Sequence, residues 1–178
     1  NSMCFIYGDY GFGKTLTLYK IIEQYKKDKD ILPIFTKMLS EDKTSKFGVD
    51  FVHRIFRQIP LQVYKEFDPK HIEQLQQDFP EPAKIFLRII LGGEGALDFL
   101  HGMRTFSSSE IKKLGINNSF DSTEMAKRYL LCFLYLLGAK RKTLLIAVDE
   151  TEYIFSQMSG AGTAQVFNTL RDLIDIHT

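Results

Sequence analysis

Gly8-Asp9-Tyr10-Gly11-Phe12-Gly13-Lys14-Thr15, with Leu16 after it, is the stretch that decides how this chain folds. The eight residues fit G-x-x-x-x-G-K-[ST], the pattern of a loop whose backbone cradles nucleotide phosphates. Its glycines let the chain curl until several N–H groups point at one anion. Lys14 is a compact charge that reaches the β- and γ-phosphates. The Thr15 hydroxyl is a hard oxygen ligand for Mg²⁺. A helix starting near Lys14 adds the positive end of its dipole to the same place. The expected nucleotide contacts are therefore Gly8, Asp9, Tyr10, Gly11, Phe12, Gly13, Lys14, Thr15 and Leu16.

The flanks agree with that reading. Met3-Cys4-Phe5-Ile6-Tyr7 is a short apolar run ending at the first glycine, the signature of a buried strand. Leu16 to Lys27 lacks Gly and Pro and carries Leu18, Ile21, Ile22 and Tyr25 at helical spacing. A glycine-rich turn with an incidental lysine would need neither flank.

A second run completes the constellation. Thr143-Leu144-Leu145-Ile146-Ala147-Val148-Asp149-Glu150 is an apolar strand ending in two carboxylates. In a parallel sheet its C-terminal end opens onto the crevice beside the loop. Asp149 is expected to hold Mg²⁺ together with Thr15, and Glu150 to orient and polarise the attacking water. The plainer alternative is that both acids cap a following helix.

The bulk composition excludes several classes. The chain has 178 residues, 44% of them hydrophobic, enough for one domain with a real core. Net charge is +1, which gives no global electrostatic case for nucleic acid or an anionic membrane. Lys26-Lys27-Lys29 and Lys140-Arg141-Lys142 read as solvated helix ends or strand entries. The longest apolar stretch, Tyr129 to Leu137, is short of the roughly 20 residues that span a bilayer. Cys4 and Cys132 lack a C-x-x-C partner and read as core residues in a reducing, cytoplasmic setting. His53, His71, His101 and His177 show no metal-ligand spacing.

Between the two motifs the chain is mostly helical. Ile31 to Met38 reads as a second strand, with Pro33 suggesting an edge or strand start. Phe47 to Ile59 places Phe47, Phe51, Val52, Ile55, Phe56 and Ile59 on one face. Further helices are expected over Pro69–Gln77, Pro82–Leu91, Ala96–Met103 and Glu110–Leu114, the last capped from Ser107-Ser108-Ser109. Asp121 or Ser122 caps a long helix, Thr123 to Leu137, ended by Gly138. Two more helices, Glu152–Met158 and Ala164–Ile176, flank Ser159-Gly160-Ala161-Gly162. Lys14 and Asp149 thus bracket most of the chain, although a minimal crossover unit needs only about 30 residues. The expected division is a nucleotide-binding core, 1–39 and 139–178, carrying a helical insertion over 40–138. Insertions of this size serve partner recognition or regulation, or simply cover a sheet face.

The phosphate loop together with Asp149-Glu150 resembles the additional-strand branch of P-loop ATPases, and within it the AAA+ group. Leu100-His101-Gly102-Met103, Leu114-Gly115-Ile116, and Asp121 with the long helix running into Leu145-Ile146-Ala147-Val148-Asp149-Glu150-Thr151-Glu152 are similar to the ATP-binding proteins of bacteriophage-exclusion (BREX) type defence loci. Those proteins are akin to origin-recognition ATPases. The resemblance implies an α/β P-loop NTPase core, a parallel sheet flanked by helices, ATP and Mg²⁺ as ligands, and an oligomeric machine driven by nucleotide. It carries over at Gly8, Gly11, Gly13, Lys14, Thr15, Asp149 and Glu150. In that group a further strand with a polar sensor residue lies between the loop strand and the carboxylate strand. No counterpart precedes Thr178, nor does an arginine finger or lid, so a truncated AAA+ domain is expected, with Arg171 reading as a solvated helix residue.

Three functions are compatible with these residues. The first is an ATPase core, with Lys14 and Glu150 catalytic, that binds nucleotide better than it hydrolyses it for want of transition-state groups. The second is a nucleotide-gated switch or scaffold in which binding alone rearranges the insertion. The third is a small-molecule kinase using Arg54, Arg57, Arg88, Arg104 or Arg128 over the phosphates. The guanine-reading Asn-Lys-x-Asp pattern is absent, which favours ATP. Expected partners are ATP and either further copies of the chain or another protein engaging the insertion. DNA stays open as a further partner, since the resemblance allows an anti-phage or DNA-linked role, although charge gives it no support; no membrane partner is expected.

Overall fold

A computed structural model describes residues 4, 6, 11–38, 46–152 and 159–174 of the chain. Among these residues it is a mixed α/β structure with a two-stranded parallel sheet flanked by helices. Helix α1 (Lys14–Tyr25) precedes strand β1 (Ile31–Lys37). Seven helices follow: α2 (Phe47–Arg57), α3 (Leu61–Lys65), α4 (Pro69–Gln74), α5 (Pro80–Ile90), α6 (Ala96–His101), α7 (Ser108–Lys113) and α8 (Thr123–Ala139). Strand β2 (Thr143–Asp149) and helix α9 (Gly160–Ile174) close the order. The expected strand at Met3–Tyr7, most of the helix at Glu152–Met158, and Gly8, Asp9 and Tyr10 lie outside the described residues.

The two strands pair in register from Ile31 opposite Thr143 to Lys37 opposite Asp149. The pairing continues past both ends: Thr143 N donates to Asp30 O at 2.7 Å and Met38 N to Asp149 O at 3.0 Å. Parallel strands need a long crossover, and its described part holds seven helices. Their core is aromatic. Phe133 of α8 packs at 5.6–6.0 Å from Phe56, Tyr64, Phe67 and Phe86. The expected face of α2, from Phe47 through Phe56, is buried as a unit, and Ile59 beyond it is buried too. Gly48 makes room where α2 meets its neighbours. A Cβ there would lie 2.8 Å from Thr123 Cγ2 and 3.1 Å from Thr169 Cγ2.

Several boundaries differ from the periodicity, each for a local reason. Pro60 ends α2 and immediately becomes the residue before α3, a helix the sequence reading lacked. Its fixed φ of −59° suits that position. Helix α5 starts at Pro80, not Pro82, because proline is tolerated throughout the first turn. Helix α8 runs through Gly138 to Ala139, and Ser122 is its cap, with Oγ accepting from Met125 N at 3.2 Å. Helix α9 starts at Gly160, not Ala164. Ser159 Oγ accepts from Gly162 N at 3.2 Å, so a serine cap carries the helix through two glycines. Among the described residues no helix is long and apolar enough to cross a membrane.

Candidate functional site

The site forms where α1 begins and β2 ends. Gly11 and Gly13 have φ of +86° and +77°, a left-handed backbone that costs other residues about 1 kcal/mol or more. Gly13 is the residue before α1, and no side chain caps that helix end. No acidic residue lies in the first turn either. The leading N–H groups of α1 are thus not answered by a capping side chain, as an anion site requires. Thr17 N and Thr17 Oγ1 both donate to Gly13 O, at 2.9 and 3.1 Å, and fix the turn.

Packing carries this loop to the end of β2. Tyr19 of α1 stacks on Phe35 of β1, ring centroids 4.3 Å apart. With α1 held against the sheet, Thr15 Oγ1 donates to Asp149 Oδ2 at 2.8 Å, bridging 134 positions of sequence. Asp149 is buried, at 5% exposure. A hydroxyl and a carboxylate therefore converge as hard oxygen donors. Among the described residues no group of three or more His, Cys, Asp or Glu gathers into a metal cage. Two protein oxygens with the remaining positions open to water and phosphate is the donor set Mg²⁺ takes beside a nucleotide, so the pair fits that ion.

A cavity of ≈ 490 Å³, open to solvent, lies over the loop. Gly11, Gly13, Lys14, Thr15, Leu16, Tyr19 and Glu152 line it. Five of the expected contacts thus share one cavity. Phe12 is 76% exposed and is not among the described lining residues. Gly8, Asp9 and Tyr10 lie outside the described residues.

Glu150 sits differently from Asp149. Its backbone is left-handed, φ +59°, which turns the chain immediately after β2. Lys37 Nζ donates to Glu150 Oε1 at 2.6 Å, across the ends of the paired strands. The hydrogen bond and charge of Glu150 hold the Lys37 ammonium above the usual lysine range. Glu150 is not among the described lining residues of the cavity, whereas Glu152 is. Sequence reasoning missed Lys37, Tyr19 and Glu152. The signals were present: a lysine closing the strand that pairs with the carboxylate strand, an aromatic one turn into α1, and a third acid in Asp149-Glu150-Thr151-Glu152.

Three of the insertion arginines make contacts within the insertion. Arg57 Nε donates to His101 O at 2.6 Å, Arg128 Nη2 to Asp78 O at 2.9 Å, and Arg104 pairs with Glu110 at 2.7 Å. Compared with protein-family models, curated proteins and solved structures, the chain finds no match.

Proposed function

We propose that this chain is the nucleotide-binding core of a P-loop, AAA+-like ATPase, with Mg-ATP as its ligand and conformational change in a larger assembly as its output. The observation that carries the reading is the Thr15–Asp149 hydrogen bond, which joins the end of the glycine loop to the end of an apolar strand. Nothing in local sequence demands that contact, and an Mg²⁺ site shared by loop and strand does.

In this reading Gly11, Gly13 and the first turn of α1 receive the β-phosphate through backbone N–H groups. Lys14 offsets charge between the β- and γ-phosphates. Thr15 and Asp149 would hold Mg²⁺, Asp149 through water. Bound Mg²⁺ supplies Lewis-acid polarisation of the γ-phosphoryl group. Glu150 is the base that orients the attacking water, and its carboxylate must leave Lys37 to do so. That pairing supports a slow basal rate and a binding-dominated module, the second reading. The kinase reading has less support, because Arg57, Arg104 and Arg128 are committed to contacts within the insertion.

The test is a titration of the chain with fluorescent Mg-ATP beside Lys14→Ala. Saturable binding weakened on the order of a hundredfold or more by the substitution is expected, because the lysine meets the phosphates directly. Equal binding by the two proteins, or none by either, contradicts the reading.

A further inference from the structure

Three carboxylates follow one another at the end of β2, and the fold sends them to three different places. Asp149 is buried against the Thr15 hydroxyl. Glu150 is paired with Lys37. Glu152, two residues on and exposed, lines the loop cavity with Gly11, Gly13, Lys14 and Thr15. A carboxylate in the wall of a cavity built for phosphates is at first sight misplaced. A nucleoside triphosphate is a polyanion, and like charges at short range repel even through solvent. Lys14 is the one cation among the cavity's described lining residues. A bound divalent cation changes the sign of the problem, since the metal is then the largest local charge and attracts carboxylates in its outer shell.

We propose that Glu152 makes nucleotide capture conditional on Mg²⁺: it repels metal-free triphosphate from the loop and tolerates or assists the magnesium complex. The proposal rests on the nucleotide reading above and deepens it. Glu152 is a specificity-determining residue here, acting on which form of the nucleotide enters, and Glu150 keeps the role of base. The division follows from geometry, because Glu150 is held across the strand ends by Lys37 while Glu152 faces the cavity.

The test measures dissociation constants at low salt for ATP in Mg²⁺ and for ATP in EDTA. Four proteins are compared: wild type, Glu152→Gln, Glu152→Lys and Lys14→Ala. Glu152→Gln should tighten metal-free ATP by about fivefold, a size set by one exposed charge at moderate distance, and leave Mg-ATP within about twofold. Glu152→Lys should narrow the ratio further. An unchanged ratio in both Glu152 variants, with Lys14→Ala losing both forms of ATP, overturns the proposal and leaves the nucleotide reading intact. Absence of binding by wild type overturns both.

Discussion

Thr15 and Asp149 illustrate what one pair of side chains carries in this chain. Each alone has an ordinary structural explanation, a helix threonine and a strand-end acid. Their 2.8 Å hydrogen bond joins the end of the glycine loop to the end of β2, and the proposed Mg²⁺ position rests on it. A different pair governs how the insertion responds to acid. His53 is buried, its Nδ1 2.8 Å from Leu100 O and its ring 4.2 Å from Phe120. His101 is half-buried on the same side of the insertion. Burial lowers the pKa of both below the ordinary 6.5, and Arg57 pushes each further down. A histidine whose folded pKa is depressed adds stability that is fully present above 6.5 and is lost as pH falls below it, because the unfolded chain takes up the proton first. The urea midpoint should therefore be flat between pH 7 and 8 and fall as pH drops from 6.5 to 5. His101→Gln should fall less steeply over that window. A midpoint independent of pH there contradicts the assignment.

At the scale of elements, caps outweighed composition. The sequence reading placed α9 at Ala164 because Gly160 and Gly162 looked like a separator. The Ser159 cap starts the helix four residues earlier. Ser159→Ala should remove that first turn, costing about 1 kcal/mol of stability with amide exchange accelerating at 160–163. An unchanged exchange pattern would show that packing, not the cap, holds the turn. Elements with strong periodicity were legible: α1, β1, α2, α8 and β2 appear where apolar spacing put them, with ends shifted by a few residues. Helix α3 was not legible, since five residues after a proline have no period to read. That Gly11, Gly13, Lys14 and Thr15 gather around one cavity, with Asp149 against Thr15, was legible because the motif fixes their order along the chain. Lys37 and Glu152 were not, because their roles depend on strand register and on the turn at Glu150, neither of which is local.

Across the whole molecule, the parallel pairing of β1 and β2 connects the aromatic helical core to the loop. The register that sets Lys37 opposite Asp149 also sets Lys37 beside Glu150, and α1 rests on the same strands through Tyr19 and Phe35. Helices α2, α3 and α5 meet Phe133 of α8 through Phe56, Tyr64 and Phe86, and α2 and α8 in turn contact β1 and β2. In the proposed function Thr15 and Asp149 act as one unit on a nucleotide-bound Mg²⁺. A double-mutant cycle on the Mg-ATP dissociation constant, using Thr15→Val, Asp149→Asn and the double variant, tests that coupling. Each single change should weaken Mg-ATP by about tenfold or more, and the double variant should be little worse than the poorer single, the non-additivity of a shared site. Single variants that bind Mg-ATP as wild type does, or two penalties that simply add, would contradict it.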